Sequence, residues 1–242
     1  MVAVVPDVAG LTVELFADGA DLPTMVKMAE DPLIKGFTTN PTLMRKAGIS
    51  DYEAFARRVL AAIPDRPISL EVFADDLNGM VEQATKIAGW GPNVNVKVPV
   101  TTTSGEFCGP AISALSEAGV TLNVTALFTV EQVDAVLEAL RSDVPAFISV
   151  FAGRIADTGR DPMPIMRESA RRIHERKDTR LIWASPRELL NVFQADEVGC
   201  DIITATDGIL GKLGSVGKDL DEFSLDTVRM FFDDASSAGY SI

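Results

Sequence analysis

The sequence predicts an α/β protein folded as a single (β/α)8 TIM barrel with an extra C-terminal helix. Three observations carry this. Short runs rich in β-branched residues alternate with longer segments of helical period, the rhythm of βα units on a parallel sheet. Eight such repeats in 242 residues suit a closed barrel. The Gly-rich phosphate turn that an open doubly wound sheet places after its first strand is absent.

In chain order, the strand-like runs fall near 11–17, 35–40, 67–73, 94–100, 121–127, 146–152, 180–185 and 201–206. Amphipathic segments follow near 22–30, 51–62, 76–88, 106–118, 129–141, 162–176, 187–195 and 208–213, with a last helix near 224–238. Gly208-Ile209-Leu210-Gly211-Lys212 lacks the spacing of a nucleotide-binding loop and reads as the start and end of a barrel helix. No Pro/Gly/Ser-rich or charge-run stretch is long enough to act as a linker, so 1–242 reads as one domain, and 47% hydrophobic content supports one substantial core.

Alternation along a barrel strand sends one set of side chains out to the helices and the other toward the axis, where chemistry is free to sit. In Val94-Asn95-Val96-Lys97-Val98-Pro99-Val100 the four valines form the outer face, leaving Asn95, Lys97 and Pro99 inside. Ser69-Leu70-Glu71-Val72-Phe73 sends Leu70 and Val72 outward and Glu71 inward, and Leu122-Asn123-Val124-Thr125-Ala126 places Asn123 and Thr125 inside. The same count assigns Phe147, Ser149 and Phe151 to the interior, then Trp183 and Ser185, with Asp18 and the Thr38/Asn40 pair from the first two strands.

A charged lysine in a barrel interior is costly unless it is paired, so Lys97 needs a reason; a structural pairing with Glu71 or Asp18 is one. Nucleophilic catalysis is the other. A neutral amine attacks a ketone, and the resulting iminium withdraws electrons so that an adjacent C–C bond breaks or forms.

The formal net charge of −13 argues against a nucleic-acid partner, which requires Lys/Arg clusters. No apolar run is long enough to cross a bilayer, and Met1 to Gly10 lacks the pattern of a signal peptide. The two cysteines, Cys108 and Cys200, have neither metal-site nor disulfide-framework spacing, so a cytoplasmic, reduced protein is expected. The lone histidine, His174, lies in a polar helical segment among Arg171, Arg172 and Arg176, which speaks against a metal site and reads as surface. The pairs Asp75-Asp76 and Asp233-Asp234 read as solvated helix-end charges, and no cofactor is expected.

Five motifs, in order along the chain, resemble the transaldolase family. These are Thr38-Thr39-Asn40-Pro41, Val96-Lys97-Val98-Pro99, Asn123-Val124-Thr125-Ala126-Leu127-Phe128, Ser149-Val150-Phe151-Ala152-Gly153-Arg154-Ile155 and Ala184-Ser185-Pro186-Arg187. The resemblance runs from about residue 12 to about residue 210. It implies a Schiff base on Lys97, Asp18 as acid/base for C–C cleavage, and a catalytic water held by Glu71 and Thr125. It further implies Asn40, Asn123 and Ser149 on the dihydroxyacetone part of a phosphorylated sugar, with Thr38, Phe151 and Ser185 in the pocket. Arg154 and Arg187 would clamp the phosphate, a geometry to which guanidinium forks are suited.

The related fructose 6-phosphate aldolase branch typically has Gln at the position of Glu71, and resembles a version with Ala for Ser149 and Tyr for Phe151. Transfer to an aldose acceptor is therefore the reading here, with aldolase-like release of dihydroxyacetone and a noncatalytic sugar-phosphate-binding barrel as alternatives. The chain is shorter than classical transaldolases, and Pro186 stands where many relatives have an aromatic residue. The apolar residues Val228, Met230, Phe231 and Phe232 of the last helix are expected to dock on the barrel or on a second copy in a homo-oligomer.

Overall fold

The structure is a computed structural model and describes residues 7–241; the N-terminal stretch read for a signal pattern thus begins outside the described residues. Eight parallel strands close into a barrel in sequence order: β1 (Glu14–Asp18), β2 (Ile34–Thr38), β3 (Ile68–Glu71), β4 (Val94–Pro99), β5 (Leu122–Leu127), β6 (Ala146–Val150), β7 (Thr179–Trp183) and β8 (Ile202–Ala205). The helices are α1 (Leu22–Ala29), α2 (Pro41–Lys46), α3 (Tyr52–Ala62), α4 (Leu77–Ala88), α5 (Gly109–Glu117), α6 (Val130–Ala139), α7 (Ala152–Ala156), α8 (Met163–Ile173), α9 (Leu190–Glu197), α10 (Asp207–Leu210) and α11 (Leu220–Ser237).

Two of these, α2 and α7, are short helices that start directly off strand ends and lie outside the nine segments read from periodicity; one turn or two is too little for a 3.6-residue pattern. The segment expected to be helical from 106 starts only at Gly109, because Thr101 and Phe107 form an antiparallel bridge. Gly109 passes under Phe107 so closely that a Cβ would lie 2.2 Å from its ring.

The outer face of the barrel behaves as the valine pattern requires: Val94, Val96, Val98 and Val100 are buried in the layer between strands and helices. Inside, register makes neighbours of Phe16 and Gly36, of Asn123 and Phe147, and of Ser149 and Ile182. Phe16, Phe147, Ile182 and Ile202 form a separate apolar plug in the lower barrel. Gly36 makes room for it, since a Cβ there would lie 2.5 Å from the Phe16 ring. An ion pair between Arg180 and Glu14 at 3.0 Å lies at the strand starts, beneath the plug.

One parity assignment is corrected. Trp183 pairs with the outward Val150 and is fully buried in the outer layer, while Ile182 takes the inward place beside Ser149. Counting from Ser185 misphased the strand because the backbone leaves regular β geometry after Trp183: Ser185 itself is left-handed, with φ 62°. Ser185 still reaches the interior mouth, by that turn rather than by alternation.

Helix α11 has no buried residue, and Val228, Met230, Phe231 and Phe232 are exposed, so of the two dockings open to it, onto the barrel or onto a second copy, the first does not occur.

Candidate active site

The carboxyl ends of the strands open onto a cavity of about 550 Å³. Its wall includes Asp18, Thr38, Asn40, Glu71, Lys97, Thr125, Ser149, Phe151, Arg154, Ser185 and Arg187, eleven of the twelve residues singled out from sequence. The twelfth, Asn123, is fully buried and is not part of this wall. Its side chain donates to Ser69 Oγ at 3.0 Å and accepts from Ser149 Oγ at 2.7 Å, which uses its groups to hold Ser149 in place.

At the centre, β3 and β4 pair Glu71 beside Lys97. The side chains are only 7% and 10% exposed, with Lys97 Nζ 3.9 Å from Glu71 Oε2. That separation is a loose ion pair. The firmer bond of Lys97 is to the Thr39 carbonyl, at 2.5 Å. The Thr39 hydroxyl lies 2.9 Å from the Ser69 carbonyl and 3.0 Å from Glu71 Oε2 and has one proton for the two, so a residue just past β2 touches both Lys97 and Glu71. Thr39 lies within the Thr38-Thr39-Asn40-Pro41 motif, but its role depends on a cross-barrel approach that one-strand periodicity does not contain.

Glu71 Oε1 and Thr125 Oγ1 are buried without a protein hydrogen-bond partner, in a region where such groups are normally paired. Thr125 precedes an irregularity in β5, where Ala126 adopts φ 66° and the register with β6 shifts.

Asp18 accepts from Thr38 Oγ1 at 2.7 Å and from Asn40 Nδ2 at 3.2 Å. Asn40 also caps α2, accepting from the Leu43 amide at 2.9 Å, and Pro41 follows at the first helical position. Burial pushes the Asp18 carboxyl above the ordinary range, opposed by the Lys97 charge and by hydrogen bonds from Thr38 and Asn40. Burial likewise raises Glu71, against the Lys97 charge and the Thr39 bond, and the nearby Asp18 charge adds to the rise. Two carboxyls raised by burial thus flank one amine.

At the rim, Arg154 on α7 lies 5.7 Å from the Phe151 ring centroid. Arg187 makes a two-point ion pair with Asp157, at 2.8 and 2.5 Å, and donates to the Ser185 carbonyl and hydroxyl at 2.9 Å each. The Arg187 hydrogen bond holds the Asp157 carboxyl below its usual range. Asp157 was not singled out from sequence; its position three residues after Arg154 at the end of the same short helix was the available signal. The rim approach depends on Gly153, whose Cβ would fall 1.6 Å from the Ser185 carbonyl oxygen.

His174 is exposed and lies 3.1 Å from Asp201. Asp76 caps α4, Asp75 bonds the Thr103 amide and hydroxyl, and Asp233 and Asp234 lie exposed on α11. Among the described residues, no cluster of three or more His, Cys, Asp or Glu side chains could hold a metal, and no helix is long and apolar enough to cross a membrane.

Residues 15–242 match the family model described as transaldolase/fructose-6-phosphate aldolase. A protein named "Probable transaldolase" from Dehalococcoides mccartyi is 39% identical over 191 residues, covering 78% of this chain and 85% of its own. One of the same name from Hyphomonas neptunium is 34% identical over 231 residues, covering 95% of this chain and 100% of its own. Among solved structures, 3-hexulose-6-phosphate synthase from Salmonella typhimurium superposes with a TM-score of 0.57 at 16% identity, covering 85% of this chain and 97% of that one, a likeness of fold alone. Family model and relatives agree across nearly the whole barrel, and the chain belongs to the transaldolase/fructose-6-phosphate aldolase family.

Proposed function

We propose that this chain, as one domain, is a transaldolase that carries a dihydroxyacetone unit on Lys97 from a ketose phosphate, fructose 6-phosphate or sedoheptulose 7-phosphate, to an aldose phosphate. The observation that carries the reading is a nearly buried lysine at the floor of an open cavity, flanked by two buried carboxyls, Asp18 and Glu71.

The chemistry follows from the placement. The Lys97 amine adds to the C2 carbonyl of the ketose, and loss of water gives an iminium. Glu71 Oε1 and Thr125 Oγ1, both buried and unpaired, are the groups available to hold the departing water and move its protons. Asp18 takes the proton of the C4 hydroxyl as the C3–C4 bond breaks; its electrons flow to the iminium, leaving an enamine on Lys97 and a free aldehyde. An acceptor aldehyde then takes the enamine carbon, Asp18 returns the proton, and water releases the new ketose. Asn40 and Ser149 face the hydroxyls of the three-carbon unit. Arg154, Arg187 and Ser185 lie at the rim, where the donor phosphate would sit.

Glu71, Ser149 and Phe151 favour transfer over release of free dihydroxyacetone. The test is to supply fructose 6-phosphate with and without erythrose 4-phosphate. Transfer gives sedoheptulose 7-phosphate, and little dihydroxyacetone appears without the acceptor. Rapid dihydroxyacetone release in both arms would instead make the enzyme an aldolase, and binding of the sugar phosphate with no product in either arm would make the barrel a noncatalytic binder. We place this activity in cytoplasmic carbohydrate metabolism through the pentose phosphate pathway. The exposed apolar face of α11 supports a homo-oligomer, which light scattering on the native particle would size.

A further inference from the structure

We propose that Thr204, on β8, is a positioning residue that sets the hydrogen-bond direction of Asp18 through Thr38. The inference rests on Asp18 acting as acid and base in the proposed reaction.

Thr204 Oγ1 lies 2.6 Å from Thr38 Oγ1, and Thr38 Oγ1 lies 2.7 Å from Asp18 Oδ1. Thr38 and Thr204 are 3% and 6% exposed, and both belong to the cavity wall. Register explains the meeting: Asp18 pairs with Thr38 across β1 and β2, while Thr204 pairs with Phe16 on the other side of β1.

A hydroxyl carries one proton, and this fixes the order. When Asp18 is ionised, Thr38 must donate to it, so Thr204 must donate to Thr38 and presents only lone pairs to the cavity. When Asp18 holds the proton from the C4 hydroxyl on Oδ1, Thr38 is free to accept and to donate onward, and Thr204 then points its own hydrogen into the cavity. The two arrangements match the two halves of the reaction, because the group accepting a substrate hydroxyl before cleavage becomes a donor toward the new carbonyl after it. A donated bond from Thr204 also strengthens the bond Thr38 gives to the carboxylate, since chained hydrogen bonds polarise one another.

The charged groups facing Asp18 are Lys97 from β4 and Glu71 from β3 across the cavity floor, and Arg154 and Arg187 at the rim. Asp21, Lys46 and Asp207 line the adjoining cavity of about 320 Å³ that shares Asp18. None of them is altered by a change at Thr204, so a shift in Asp18 titration reports the hydroxyl chain.

The test compares Thr204→Val, nearly isosteric but without a hydroxyl, with Thr204→Ser, which keeps it. Turnover of fructose 6-phosphate is followed against pH, and carbon-13 NMR follows the Asp18 carboxyl in the absence of substrate. The expected result for the valine variant is a borohydride-trapped adduct as in the unaltered protein, kcat lower by about tenfold, KM little changed, and both the acidic limb and the Asp18 titration moved to higher pH. Serine restores all of these. An unchanged titration in Thr204→Val, or an equal loss in the serine variant, overturns the proposal and leaves Thr204 as packing. Absence of a trapped adduct in the unaltered protein would defeat the lysine chemistry instead, and the NMR titration still decides whether the hydroxyl chain exists.

Discussion

Gly153→Ala tests the link between backbone packing and the anion-binding rim. The added Cβ would sit 1.6 Å from the Ser185 carbonyl oxygen and 2.7 Å from its carbon, both backbone atoms that cannot swing aside as a side-chain tip would. Ordinary contact begins at 3.4 Å, so the start of α7 and the exit of β7 must part by roughly 1.8 Å. Overpacking of this kind costs about 1–3 kcal/mol, which lowers Tm by roughly 3–10 °C in a domain of this size. The displacement falls on the carbonyl that accepts from Arg187 and on the helix that carries Arg154. Losing one charge-assisted contact to phosphate raises KM for a phosphorylated ketose by about tenfold or more. Thermal unfolding and steady-state kinetics with fructose 6-phosphate, beside unphosphorylated fructose as control, measure both effects. The control should move much less. A variant with unaltered Tm and KM would show that the rim is not built on this close approach.

The remaining predictions concern the floor and the rim. Asp18→Asn should lower turnover by about 10²–10⁴-fold while leaving adduct formation with ketose measurable by trapping, because the carboxylate serves the C–C step. The acidic limb of kcat should lie above the ordinary carboxylate range of about 4, since burial raises both Asp18 and Glu71, and a pH-rate profile checks it. The same burial has a stability consequence with a definite sign. Each raised carboxyl binds its proton more readily folded than unfolded, so stability is lost as pH rises from the unfolded pKa through the folded one. Asp18→Asn should therefore melt higher than the unaltered protein at neutral pH, with the gain vanishing in acid. Glu71→Gln with Thr125→Val should slow adduct formation by about a hundredfold, read by single-turnover trapping. Asp157→Ala releases Arg187 from an exposed pair and should raise KM for phosphorylated donors by about two- to fivefold, without effect on unphosphorylated ones.

Much of this site was legible because the outer face of a barrel strand has a strong signal. Four alternating valines around Lys97 left its direction in no doubt, and Leu70 and Val72 did the same for Glu71. The reading failed where that signal was weak. Ile182-Trp183-Ala184 is apolar throughout, so alternation could not phase it, and the left-handed Ser185 broke the count. Asn123 pointed inward as expected, but direction does not give depth: it lies beneath the floor and holds Ser149. Thr39, Asp157 and Gly153 matter through contacts between different strands and loops, which no single segment encodes. The apolar stripe of α11 was visible in sequence, whereas its failure to pack on its own barrel is a property of three-dimensional placement.

The most direct test of the central claim is to trap the protein with fructose 6-phosphate and borohydride, digest it and locate the added mass by peptide sequencing. The account predicts a dihydroxyacetone-sized adduct on the peptide containing Lys97, absent from Lys97→Met and lost when an aldose phosphate acceptor is added before the reductant. An adduct on any other lysine, or full turnover by Lys97→Met, would contradict it.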